Sequence, residues 1–421
     1  METQVKLTAM AFALIVLAAR PAAGQTIPEG VGSADRPRPE YAPVGVRLGS
    51  FFLYPSLAVD ASYTDNVFAE AEDKSSDGFF TIEPRLRLQS NWGRHALKLS
   101  SYSSTRRFVD NGGENATDSG IAGSGEYDIA RSFKLTADGS FERLFENRAS
   151  IDTNTQTQNP IKYTDSTVRT GAEFTVNRLT AALDFGWQKL NYSDGVAGGL
   201  IVDQDFRDRR ILTGAARLDY ELSPGYQLLL RASYDDRNYV LDTDSPQFNP
   251  ATDLDRDSHG YEIEGGFEFA LTRLLYGNVR VGYLTQNYQS GAIDTVNGIT
   301  FGADLLWNVT SLTSARLTVD RRVVDTATTV SAGRLVTQYG LGVDHELLRN
   351  LIISADGQFA RLRFNGLNRT DTETLAQLSV RYLMNEYLSL VLTAAREARN
   401  SPINFIDYRR NTVSLNLKLA L

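Results

Sequence analysis

The chain reads as an all-β protein, a closed antiparallel up-and-down transmembrane β-barrel of about 18 strands. Three observations predict this. Apolar and polar residues alternate with a period of two along most of the 421 residues. The connections alternate between tight turns and long polar loops, as bacterial outer-membrane barrels require. The polar face of the strands carries many charges, which a packed core could not bury unpaired but a water-filled bore can hold.

The N-terminus comes first. The apolar run Leu7 to Ala19 is too short for a spanning helix, which needs about 20 residues. With Lys6 before it and the small residues Ala22-Ala23-Gly24 after it, it reads as a signal peptide over 1–24. Residues 25–50 contain Ile27-Pro-Glu-Gly and Arg36-Pro-Arg-Pro-Glu-Tyr-Ala-Pro43, a composition that favours extended, solvated chain. They read as a periplasmic leader before a barrel over 51–421.

The barrel segments follow in order. Leu57, Val59, Ala61 and Tyr63 share one face, as do Phe80, Ile82, Leu86 and Leu88. Then come Leu97 and Leu99; Ile121, Tyr127 and Ile129; Phe133, Leu135, Phe141 and Phe145; Val168, Ala172, Phe174 and Val176; and Leu179, Leu183, Phe185 and Trp187. The second half continues with Leu212 to Leu222, Tyr226 to Tyr234, Tyr261 to Phe269, Leu275 to Tyr283 and Ile299 to Trp307. Ala315, Leu317, Val319 and Val323 are next, followed by Tyr339 to Val343, Leu351 to Phe359, Leu378 to Tyr382 and Leu388 to Ala394. Val413, Leu415, Leu417, Leu419 and Leu421 form the last set, which is expected to pair back with the first strand and close the ring. The tight turns would lie in the periplasm and the long loops outside. Trp92, Trp187, Trp307, Tyr220, Tyr382 and Tyr387 gather near strand ends, as interfacial girdles do.

The opposite face is expected to line the lumen. The residues placed there as transport-lining are Arg85, Arg87, Arg169, Arg231, Glu262, Glu264, Arg280, Asp304, Arg316 and Asp320. Lys134, Asp138, Glu142, Glu173, Asp235, Glu268, Arg322, Asp344, Glu346 and Lys418 share that face.

Other chemistry is thin. There is no cysteine, which excludes thiol and disulfide chemistry. Acidic and basic residues are interspersed with a net charge of −8, so no basic face invites nucleic acid. His95, His259 and His345 fall at separate strand ends, so neither a metal centre nor a catalytic histidine is expected. The run Asp253-Leu-Asp255-Arg-Asp257-Ser-His-Gly, with Glu264 beyond it, imitates a calcium loop but has Ser258 where glycine is expected. No cofactor and no catalytic constellation are expected.

Arg38-Pro-Glu-Tyr-Ala-Pro-Val-Gly-Val-Arg-Leu-Gly-Ser-Phe51, Tyr54-Pro-Ser-Leu57 and Tyr63-Thr-Asp-Asn-Val-Phe68 resemble the putative β-barrel porin 2 family. Ser76-Asp77, Ile82-Glu-Pro84 and Leu88-Gln-Ser-Asn-Trp92 strengthen the likeness. Outer-membrane barrels commonly end in an aromatic residue, and here Leu421 stands instead. The resemblance implies an outer-membrane barrel that is not an enzyme. It also implies a passive conduit for exopolysaccharide export, with a periplasmic polysaccharide export protein and the polymer as partners. Membrane lipid and lipopolysaccharide would surround it. The alternatives are a general diffusion porin for small solutes and a surface structural or adhesive barrel. A long loop folded into the bore would favour the diffusion porin.

Overall fold

The computed structural model describes residues 30–153, 157–249, 253–272, 274–326, 331, 333–403 and 406–421. The signal-peptide expectation falls outside them. Twenty-one strands follow in chain order: β1 (Val46–Leu48), β2 (Phe51–Thr64), β3 (Asp77–Ser90), β4 (Ala96–Phe108), β5 (Ala116–Ala130), β6 (Phe133–Phe145) and β7 (Lys162–Val176). Then come β8 (Leu179–Tyr192), β9 (Gly195–Ala197), β10 (Leu200–Val202), β11 (Arg209–Ser223), β12 (Tyr226–Tyr239), β13 (Ser258–Leu271) and β14 (Leu275–Tyr288). The last are β15 (Val296–Asn308), β16 (Thr313–Asp325), β17 (Gly333–Leu348), β18 (Leu351–Phe364), β19 (Thr370–Leu383), β20 (Leu388–Asn400) and β21 (Tyr408–Ala420).

Eighteen of these, β2–β8 and β11–β21, form one antiparallel ring. Each pairs with its neighbours in sequence, and β2 pairs with β21 from Ser56↔Ala420 to Thr64↔Thr412. That seam closes the barrel and removes its edges. The short β1 extends the line of β21 along Phe51–Leu53, where β21 has ended. β9 and β10 form a separate hairpin in the β8–β11 loop.

The alternation sorts as expected. Ile82, Ile121, Leu183, Leu230, Val281 and Leu415 are exposed on the outer face, where lipid would cover them. Aromatic pairs mark both rims of that band. Trp92 meets Phe51 at 5.3 Å on the turn side, and Tyr234 meets Tyr261 at 4.9 Å on the loop side.

Two elements depart from the simple ring. β15 and β16 pair only from Gly302↔Asp320 to Asn308↔Ser314. Beyond that point β16 stays with β17 and leans into the bore. Val323, which alternation assigns to lipid, instead packs with Leu335 against Leu284 and Val296, whose side chains point into the bore from β14 and β15. The cause is apolar burial: the lumen faces of β14 and β15 offer Leu284 and Val296 near the loop end, and the infolded hairpin covers them.

The second departure is the leader. Ser33 is fully buried, and Arg36 and Arg38 nearly so. The Ser33 N–H donates to Ser314 Oγ at 2.6 Å, and its hydroxyl donates to the Asp344 carbonyl at 3.0 Å. Arg38 pairs with Glu346 at 2.8 Å. Residues 30–38 therefore line the turn-side end of the bore rather than sitting as solvated chain. Small residues permit the approach, and the buried carboxylate of Glu346 draws Arg38 in.

Candidate functional site: a constricted bore

The ten lumen-lining residues read from the sequence all stand on the bore side of their strands, but they do not converge on one point. Arg280 donates to Asp304 at 3.3 Å and to Asn278 at 2.7 Å, with Glu264 at 4.0 Å. Arg316 bridges Asp344 at 3.1 Å and Asp356 at 2.9 Å. Glycines let these guanidiniums lie flat. A Cβ at Gly302 would come within 2.6 Å of Arg280, and one at Gly342 within 2.8 Å of Arg316. Arg85 pairs with Glu83 at 2.9 Å, Arg87 lies over the Tyr54 ring at 4.7 Å, and Asp320 pairs with Arg322. Arg169 sits in register with Asp138 and Gly186, Arg231 with Arg217 and Glu264, and Glu262 with Ser233 and Leu284. The wall thus carries charges of both signs along the bore, some of them joined in ion pairs.

The narrow point lies at the loop end. The β6–β7 connection leaves the fifth strand of the ring and reaches the fourteenth, β17, which is diametrically opposite among 18. There both Asp152 oxygens accept from Arg334, at 3.0 and 2.9 Å, and Asp152 also accepts from Thr326 at 2.8 Å. Ile151 packs with Val336, Leu362 and Phe364, side chains that point inward from β17 and β18. Arg399 on β20 donates to the Ala149 carbonyl. On the near side, Arg148 grips Glu114 through two bonds, at 2.9 and 2.7 Å, and Glu146 pairs with Arg207. These contacts place the segment across the mouth of the bore, fastened at both ends.

The infolded β16 adds a second bar. Asp325 forms ion pairs with Arg209, at 2.9 Å, and with Arg237, residues of β11 and β12. Arg256 lies over the Phe206 ring at 4.8 Å beside them. Asp152, Tyr192, Arg207, Arg209, Arg256 and Asp325 line a small cavity there. None of these fastening residues was expected from the sequence. The available signal was a surplus of arginines and acids at strand-to-loop junctions, which also describes ordinary solvated loops.

The other sequence motifs disperse. Asp253 accepts from Asn249 N–H, Asp255 from Asp257 N–H, and Asp257 from Tyr239 N–H at 2.7 Å, so the calcium-like run holds backbone instead. Burial pushes the Asp257 carboxyl up to about 6, and the neighbouring Asp255, Asp242 and Asp236 add to this. His95 accepts from Asp128 N–H, His345 meets Thr313, and His259 lies against Tyr261. Among the described residues one acidic trio, Asp194, Asp203 and Asp205, lies close enough to share a cation, but all three are exposed on a loop.

Among solved structures, the chain resembles the outer membrane protein OpdK of Pseudomonas aeruginosa, at 10% identity and a TM-score of 0.46, over 88% of this chain and 99% of that one. It also resembles OccAB4 of Acinetobacter baumannii, at 11% identity and 0.46, over 88% and 98%. The siderophore receptor PirA of the same organism matches at 7% identity and 0.47, over 88% and 80%. No curated protein matches the chain. The model of the putative beta-barrel porin 2 family matches residues 38–421. The match spans both the infolded leader from Arg38 and the whole ring, so this outer-membrane barrel belongs to the putative β-barrel porin 2 family.

Proposed function

We propose that this barrel is a diffusion channel for small hydrophilic solutes, with a modest preference for anions, rather than an open conduit for a polymer. One observation carries the reading: the β6–β7 segment crosses the bore and is held on the far wall by Arg334 and Arg399. An extended polysaccharide would have to displace that segment and the infolded β16–β17 hairpin. A small solute would have only to pass beside them. The anion preference rests on the constriction itself. Arg207, Arg209, Arg237, Arg256 and Arg334 face Glu146, Asp152, Asp235 and Asp325, so guanidiniums outnumber carboxylates. Conduction needs such weak, repeated contacts rather than one tight site.

The experiment is a gene deletion read in two ways, together with purified protein in planar bilayers. The channel reading expects small, anion-leaning conductance steps, and in the deletion strain slower uptake of a small anionic nutrient with surface polysaccharide intact. Loss of surface polysaccharide with uptake unchanged would overturn it and restore the export reading, in which a periplasmic export protein delivers polymer to the bore.

A further inference from the structure

The outer face of the barrel carries a second, unrelated set of charges. On β4, β6 and β7 the alternation that sends Leu99, Phe141 and Val168 to lipid also sends Arg107, Arg143 and Lys162 outward, at the loop end of each strand. The three cations border one groove with Asn115, Thr117 and Phe145. Arg107 donates to the carbonyls of Arg106 and Ala116. Among the described residues, no carboxylate lies within ion-pair distance of Arg107, Arg143 or Lys162, whereas Arg280 and Arg316 in the bore are each paired with carboxylates. On the next two strands round the ring, Lys189 of β8 and Arg210 of β11 stand directly opposite each other, both exposed and, among the described residues, with no carboxylate within ion-pair distance. Like charges directly opposite across a strand pair destabilise it unless an anion lies between them. Both groups sit just beyond the apolar band on the outward-facing side, which is where the headgroups of the outer leaflet lie.

We infer that Arg107, Arg143 and Lys162, with Lys189 and Arg210 beside them, form a docking strip for the phosphate groups of an anionic membrane lipid in the outer leaflet. The ligand chemistry is a phosphomonoester on a lipid whose acyl chains can lie along Ile121, Phe141 and Val168, exposed on the same outer face. Arginine grips such phosphates through two parallel bonds, and lysine adds charge. The strip faces away from the bore, so the inference is independent of what the channel carries.

The test compares the full-length folded protein with the variants R107Q/R143Q/K162Q and K189Q/R210Q. Binding is measured to vesicles of zwitterionic phospholipid doped with a diphosphorylated glycolipid, and to undoped vesicles or detergent. Retention of the folded-barrel mobility in unheated gels shows that each variant is assembled. The wild type should prefer the doped vesicles, and the triple variant should bind them roughly a hundredfold more weakly, given the contribution of each cation near an anionic surface. Inorganic phosphate at millimolar concentration should leave the preference intact. Equal binding by wild type and both folded variants would overturn the inference. Full competition by inorganic phosphate would also overturn it, by assigning the strip to free anions.

Discussion

Breaking the near-side fastening should change conductance. Glu114 and Arg148 are both almost inaccessible and joined by two bonds of 2.9 and 2.7 Å. The substitution Glu114→Gln keeps the shape but removes the carboxylate charge that Glu114 sets against the buried Arg148 guanidinium, which still donates to Thr157. Removing one partner of a buried pair costs about 3–5 kcal/mol. Water at the bore mouth favours the lower end of that range, and about 1.4 kcal/mol is a factor of ten. The ratio of released to fastened segment should therefore rise by roughly a hundredfold. Arg334→Gln removes the far-side grip on Asp152, and the double variant should release the segment further still. The assay is single-channel recording in planar bilayers. Wild type should show small steps, Glu114→Gln added intervals of larger conductance, and the double variant a predominance of them. The reversal Glu114→Arg with Arg148→Glu should restore the small steps. If the double variant, verified as folded, keeps the wild-type conductance, the segment is not the constriction and the channel reading loses its support.

Three further outcomes follow from register, topology and ionisation. Val281 lies near the middle of β14 on the outer face, so Val281→Arg should cost about 2–4 kcal/mol and impair assembly. Leu305→Arg, two residues from the girdle residue Trp307, should cost less, and Asp304→Asn in the bore should assemble normally; quantitative heat-modifiability gels read all three. An impermeant maleimide on intact cells should label Asp244→Cys in a long loop and spare Pro224→Cys in a tight turn, both exposed; Pro224 is chosen because Gly225 holds φ +82. The folded protein raises the Asp257 carboxyl to about 6. Its contribution to loop stability is thus full below about pH 4 and lost as pH rises through about 6, a change of at most about 3 kcal/mol. Hydrogen exchange around Tyr239, corrected for intrinsic rates, should show greater protection at pH 5 than at pH 7. Asp257→Asn should remove the difference.

The ring was legible because lipid and water impose opposite demands on alternate residues, and that demand is local. Leu415 and Asn416 declare their faces without reference to any other strand. The same rule places Arg280, Asp304 and Arg316 on the face opposite Val279, Leu305 and Leu317. It could not reveal that Arg280 lies flat over Gly302, because that contact joins different strands. It failed outright at Val323. Alternation there is unbroken, but the face it labels as lipid-directed is turned inward onto Leu284 and Val296. A period of two reports which side of a strand is apolar, never what covers that side.

The leader and the crossing segment escaped for a related reason. Proline-rich composition in residues 36–43 does favour extended chain, but extended chain can lie in a groove as readily as in water. The burial of Ser33 and Arg38 depends on Ser314 and Glu346, some 280 and 308 residues away. Likewise Asp152 reads as one more acid in a polar loop until Arg334 is placed opposite it, half the ring away. The bore is thus narrowed by contacts of high sequence separation. They form only once the ring has closed, because closure is what brings the fifth and fourteenth strands face to face. That order of events gives the constriction a physical independence from the barrel. Its fastenings are a few side-chain contacts, polar at Glu114, Asp152 and Arg399 and apolar at Ile151, and they can be removed without touching the ladder of backbone hydrogen bonds, whereas the ring cannot be opened without losing that ladder. A channel built this way can vary what passes by changing a handful of residues near the mouth, such as Glu114, Asp152, Arg334 and Arg399, while the wall that holds it in the membrane stays the same.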